Sequence, residues 1–173
     1  MSDFEAMLSG GHPNSLGRTV EVVEAVLANR SRLADLFACY RSADPVVRLR
    51  VSSAFKRVEA ARHEWLIPWI DPLIDEIGAL DQASAQWTLA HLLLKLTDDL
   101  SPHQRQRALA VLKRNLTGHD DWIVLNLTME TLVVWAKVDR ELADWLRPHL
   151  DHLTLDRRKS VAARARKLKA RLA

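Results

Sequence analysis

The chain reads as an all-α protein built from repeated helix pairs, and three observations predict it. Aromatic residues are only 6% of the 173, and β-branched alternation is nearly absent, while Ala, Leu, Arg and Glu recur at helical spacing. An acidic helix-start signal returns at Asp44, Asp81, Asp120 and Asp156, at intervals of 37, 39 and 36 residues. The long segments after Asp81 and Asp120 are apolar almost all round, whereas the first and last carry much more charge. One helix pair cannot bury its apolar face alone, so pairs repeated at this period stack and share a core, as in an α-solenoid, with polar outer faces on the terminal units.

The elements follow in order. Residues 1–14 are expected to be a flexible N-terminus, and residues 15–173 a single repeat domain opened by an extra helix over about Leu16 to Asn29. A short helix from about Ser31 to Tyr40 carries Cys39 on its apolar side, as a small core residue rather than a nucleophile. The carboxylate of Asp44 can accept from the free N–H groups of a first turn, and Pro45 at the first helical position loses no needed donor. In the helix so opened, Val47, Val51, Ala54, Phe55 and Val58 form one stripe, and Arg48, Ser52, Lys56 and Glu59 lie on another face. A shorter helix is expected from Trp65 past Pro68 and Pro72 to about Ile77, with Gly78 at its C-cap. Asp81 then precedes Trp87, Ala90, Leu93 and Leu94. Ser101-Pro102 opens a helix to about Leu116, with Gly118 beyond it, and Asp120-Asp121 opens Ile123 to Lys137. Helices over about Arg140 to Leu153 and from Asp156 onward complete the series.

The run from Arg32-Leu33 through Asp44-Pro45-Val46-Val47-Arg48 to Ala54-Phe55 resembles a HEAT repeat. In that family a short helix leads through an Asp-Pro turn into a Val-Arg start and an Ala-rich second helix. The likeness extends more weakly over residues 31–172; the second unit has Ser84-Ala85 and the third Ile123-Val124 at the Val-Arg position. Lys159 to Leu168 is similar to the closing helix of small bacterial HEAT-like proteins. The resemblance implies a right-handed α-α superhelix of about four helix pairs, with second helices lining a concave surface. Most such proteins bind proteins, while one branch excises alkylated bases from DNA, so the fold alone selects no function.

Composition excludes other classes. Apolar residues are 48%, charged residues 27%, and only five Gly and six Pro are present, which rules out a disordered tail, a collagen-like fibre and a low-complexity linker. No run nears eighteen consecutive apolar residues, Met1 to Glu5 lack a signal-peptide layout, and the single cysteine fits a reducing cytoplasm, so a cytoplasmic protein without membrane contact is expected.

The net charge of +3 is unevenly spread. Residues 156–173 hold eight basic groups and one Asp (+7), and residues 120–155 hold three basic and seven acidic (−4). In the final helix Arg157, Ser160, Arg164, Lys167 and Arg171 form a stripe opposite Val161, Ala165, Leu168 and Leu172. That stripe, with neighbouring Arg158 and Lys159, suits either an anionic backbone or the polar outer face and dipole complement of a capping helix. The second helices carry polar positions of their own. Arg48, Lys56, His91, Lys95, Asn126 and Glu130 are the candidate contacts for a partner protein on the concave side. Of six Trp, four or five are expected in the core, and Trp122, opening its helix beside Asp120 and Asp121, is the one expected at the surface.

Signals for chemistry are sparse. A base-excision reading would rest on Asp121 with Trp122. His149 and His152 share a helix face without a third ligand, which reads as surface histidines rather than metal ligands. No Ser-His-Asp set, phosphate loop or dinucleotide motif is present, and no cofactor is expected. The expected function is a non-enzymatic module binding a partner protein, as a monomer or weak dimer. The alternative is a nucleic-acid binder or alkylation-repair-type protein using the basic helix with Trp122.

Overall fold

The computed structural model describes residues 3–12 and 15–172, and among them there is no strand. Ten α-helices occur in this part of the chain: α1 (Asp3–Leu8), α2 (Thr19–Ala28), α3 (Leu33–Ala38), α4 (Pro45–Ala61), α5 (Ile70–Pro72), α6 (Ala83–Lys95), α7 (Pro102–Gly118), α8 (Trp122–Ala136), α9 (Arg140–Leu153) and α10 (Lys159–Lys169).

Local chemistry accounts for most of the starts. Asp44 Oδ1 accepts from the Val46 N–H at 2.8 Å, with Pro45 opening α4. At α7, Ser101 Oγ accepts from the Gln104 N–H at 3.2 Å and Gln104 Oε1 from the Ser101 N–H at 3.0 Å, a reciprocal capping box. Asp121 Oδ1 takes the N–H groups of Ile123 and Val124 at 2.8 and 3.0 Å. Asp139 caps α9 in the same way, through the Leu142 N–H at 2.9 Å.

Two of the acidic signals act differently. Helix α6 opens beyond Asp81, and the Gln82 carbonyl accepts its first bonds, from Ala85 and Gln86 at 3.1 Å each. Asp156 spends its carboxylate on the Arg158 N–H and guanidinium, at 2.7 to 2.8 Å, and shapes the turn before α10 instead of capping it. The helix expected from Trp65 to Ile77 is broken into 3-10 turns at His63–Trp65 and Ile67–Trp69, the single turn α5, and a π-helical stretch Leu73–Ile77. Pro68 and Pro72 each lack an N–H, and each ring crowds the preceding turn, so a regular ladder cannot run through them.

The flexible N-terminus expected over 1–14 needs correction where it is described. Asp3–Leu8 is helical, with Phe4 and Leu8 completely buried. Six residues are too few for a helical period to show in sequence, and so short a helix owes its stability to packing. Residues 1, 2, 13 and 14 lie outside the described part of the chain.

The chain divides into two compact units, Met1–Thr88 and Leu89–Ala173. In the first, α2 packs on α4, and Phe37, Tyr40, Phe55 and Trp69 cluster with ring centroids 4.9 to 6.0 Å apart. The predicted stripe of α4 is the core face: Val47, Val51, Ala54, Phe55 and Val58 are all fully buried. Each side chain of Val or Phe size contributes on the order of 2 kcal/mol there. Arg50 is also buried; it donates to the carbonyls of Leu8, Gly10, His12 and Ser15 at 2.6 to 3.2 Å. Gly17, at φ +52°, lies so close that a Cβ there would fall 2.9 Å from the guanidinium carbon.

In the second unit α8 packs against α7, α9 and α10, and α9 against α10. Its core is aliphatic around Val124, Met129, Leu132, Leu146 and Val161. Trp135, 1% exposed, donates its indole N–H to Thr97 Oγ1 at 2.9 Å, with the Arg105 guanidinium 4.7 Å above its ring.

Candidate functional site

The polar stripes expected to face a partner meet different fates. On α4, Arg48 donates to the Ser42 carbonyl and to Gln82 Oε1, tying the starts of α4 and α6 together. Ser52 and Glu59 are buried: Ser52 shares a 3.1 Å hydrogen bond with the Tyr40 hydroxyl, and Glu59 lies 2.9 Å from His63 Nδ1. Lys56 is half-buried. Along α6, Ser84 and Thr88 are buried, His91 is half-buried and Lys95 is exposed. A polar residue at helical spacing is thus no guide to solvent here: Ser52, Glu59 and Ser84 find partners inside, and Thr88 Oγ1 is buried without one among the described residues.

The stripe on α8 does begin at the surface. Trp122 is 50% exposed at the helix start, Asn126 lies one turn on and is nearly buried, and Glu130 is half-buried. Glu130 Oε2 stands 3.6 Å from Arg164 Nη1, and Arg158 donates to the Asp120 carbonyl. These contacts lay the starts of α8 and α10 side by side and bring Trp122, Asn126, Glu130, Arg158 and Arg164 onto one seam. Among the described residues Asn126 Oδ1 and Thr128 Oγ1 have no hydrogen-bond partner.

The basic helix is already half engaged. Arg158 pairs with Asp156 at 2.7 Å, Arg164 with Glu130, Lys169 with Asp151, and Arg166 donates to the Thr154 carbonyl at 2.9 Å. Hydrogen bonds from Arg158, against a smaller burial penalty, hold the Asp156 carboxyl down at about 2, and the same contact raises Arg158. Arg157, Lys159, Lys167 and Arg171 are exposed, and their side chains make no hydrogen bond or ion pair among the described residues. The +7 of the sequence is therefore partly spent on the acidic residues of its own unit.

The remaining candidates can be placed. Trp135 is fully buried; Trp65, Trp69, Trp87 and Trp145 are half-buried. The indoles of Trp65 and Trp145 have cationic neighbours: Arg30 and Arg62 lie 5.8 and 6.0 Å from the Trp65 ring, and Lys113 Nζ 4.6 Å from the Trp145 ring. Asp121 is committed to the α8 cap. Cys39 is buried, its Sγ donating to the Asp35 carbonyl at 3.3 Å. His149 packs on Trp145 at 4.3 Å, and burial, then the charges of His152 and Lys113, push its pKa down. Among the described residues no three His, Cys, Asp or Glu side chains are grouped to hold a metal ion, and no helix is long and apolar enough to cross a membrane.

Two features escaped the sequence reading. Asp139 as a cap was legible in principle, as an acidic residue before a helical period. The burial of Arg50 was not, since its partners lie 35 to 42 residues away. No family model, no curated protein and no solved structure matches the chain.

Proposed function

We propose that the chain is a cytoplasmic, HEAT-like module, a right-handed α-solenoid of about four helix pairs, that binds a partner protein without chemistry of its own. Its contact surface is the face shared by α8 and α10. The carrying observation is Trp122, an indole left 50% exposed at the head of α8 in a chain whose other five Trp are at least half-buried. An exposed indole beside charges of both signs, here its chain neighbours Asp120 and Asp121 with Arg158 bonded to the Asp120 carbonyl, is the composition of an interface anchor with a polar rim. Glu130 extends the surface along α8, and Asn126 on α8 with His91 and Lys95 on α6 are its further candidate contacts.

A photoreactive residue at Ser160, next to the seam, tests the reading. It is expected to crosslink one defined protein in cells, and Trp122→Ala is expected to abolish that product while leaving the fold intact. A crosslinking pattern unchanged by Trp122→Ala would overturn it.

The four exposed cations on and beside α10 favour one second reading, a nucleic-acid surface. Fluorescence anisotropy with duplex and single-stranded DNA at about 50 and 200 mM salt decides it, because each phosphate contact steepens the salt dependence by roughly one unit. Binding that falls steeply with salt and is lost when Lys159, Lys167 and Arg171 become Glu would install this reading. Absence of binding at low salt leaves α10 as a cap.

A further inference from the structure

The first unit contains a cavity of about 190 Å³ beside α4, lined by Leu16, Leu49, Arg50, Ser53, Lys56, Trp87 and Ser15, whose hydroxyl and carbonyl already accept from the Gly17 N–H and Arg50. Its polar lining is rich in donors and poor in acceptors. Arg50 is 2% exposed and has no carboxylate partner; four carbonyls occupy four of the five N–H groups that a guanidinium carries. The ammonium of Lys56 makes no hydrogen bond or ion pair among the described residues, and the charge that acts on it is the like charge of Arg57. Burial and Arg57 together push its pKa down, as expected for a cation with nothing opposite it. The Ser53 hydroxyl and the Trp87 indole N–H likewise have no acceptor among the described residues. One buried and one half-buried cation without a carboxylate stand against apolar walls here, and an acceptor from outside would complete them.

We propose that this cavity is a binding site for a small carboxylate with an apolar body. The carboxylate lies against Lys56 and Ser53, and the apolar part lies against Leu16, Leu49 and Trp87. Size sets the class: a cavity of about 150 Å³ takes one benzene ring, so the site admits a single ring or short chain and excludes a nucleotide. One point charge with a hydroxyl, and a guanidinium whose fork is already committed, suits a monoanion better than a phosphate dianion, which Arg recognises through two free parallel donors. The carboxylate can come from a free acid or from the C-terminus of a peptide with an apolar last residue. This site is independent of the α8–α10 face.

The test titrates the full chain with benzoate, benzyl alcohol, inorganic phosphate, and a tripeptide ending in phenylalanine with its carboxylate free or amidated. Amide and indole NMR shifts at Ser53, Lys56 and Trp87 are the readout. Benzoate is expected to shift these signals, benzyl alcohol and the amidated peptide to bind at least about tenfold more weakly, and Lys56→Gln and Ser53→Ala each to weaken benzoate binding, the former by about tenfold. Binding of the free-acid peptide as well assigns the source to a chain terminus, and binding of benzoate alone assigns it to a free acid. Equal binding of benzyl alcohol, tighter binding of phosphate, shifts confined to other residues, or an affinity unchanged in Lys56→Gln would each overturn the proposal. Because Lys56→Gln and Ser53→Ala alter different lining residues, misfolding of one leaves the other to decide.

Discussion

Arg50 and Trp135 are among the largest fully buried side chains of the molecule, one in each unit, and they are satisfied in opposite ways. Around Arg50 the backbone is irregular. The carbonyls of Leu8, Gly10, His12 and Ser15 point at the guanidinium, and Gly10, Gly11 and Gly17 adopt positive φ to bring them there. Around Trp135 the backbone is regular helix: the indole needs one acceptor, Thr97 Oγ1, and a single guanidinium, Arg105, lies over its ring and donates to the Trp135 carbonyl at 3.3 Å. A regular helix closes its own hydrogen-bond account, and its core can be apolar. A short irregular segment leaves carbonyls open, and the core must lend it donors. The prolines at 68 and 72 sharpen the contrast, because they break the segment 63–77 of the first unit into 3-10, single-turn and π-helical pieces.

The largest expected effect lies in the second unit. Trp135→Ala removes a packed indole, its hydrogen bond and the Arg105 stack, and should destabilise the fold by about 3–5 kcal/mol in urea denaturation. Next comes Arg50→Met, which keeps the volume but withdraws four hydrogen bonds; a loss of about 3 kcal/mol is expected. Faster hydrogen exchange in α1 should accompany it, and α1 protected as before would break the contrast between the two units. Smaller again, Asp121→Ala removes a cap accepting two N–H groups and should cost about 1 kcal/mol, whereas Asp156→Ala, which caps no helix, should cost less. Equal losses for the two would show that Asp156 supports α10 after all.

The smallest effect is a pH dependence. The Asp156 carboxyl sits at about 2 in the folded chain against an ordinary 3.8. A folded value below the unfolded one stabilises above the unfolded value and loses that contribution as pH falls toward the folded value. Between pH 4 and 2 the parent should therefore lose stability slightly more steeply than Asp156→Asn, its advantage over that variant being full near neutrality and vanishing in acid.

Much of the fold was legible in the sequence. Asp44, Ser101 and Asp121 mark helices that begin where expected, and the α4 stripe from Val47 to Val58 is the core. The candidate surface was legible only in part. Trp122 stood out as the indole most open to solvent because it precedes the apolar period of its helix, and it is exposed. Ser52, Glu59, Ser84 and Thr88 looked solvent-facing by the same periodicity and are buried. The sequence left open whether the basic helix serves an anion or caps its own unit, and Arg158, Arg164 and Lys169 are paired with Asp156, Glu130 and Asp151. Asp156 lies close by in sequence, but Glu130 and Asp151 reach α10 only through the packing of α8 and α9 on it.

The sequence by itself determined where helices start and which face of each is apolar, because a cap acts over two or three residues and an apolar stripe over one turn. Tertiary structure alone decided which polar side chains are interior and which cations are spent. It also decided that a six-residue N-terminal helix is held in place, because most of the groups that settle those questions, such as the partners of Ser52 and Arg50, are 12 to 42 residues away along the chain. Only packing brings them within the roughly 3 Å that a hydrogen bond or ion pair requires.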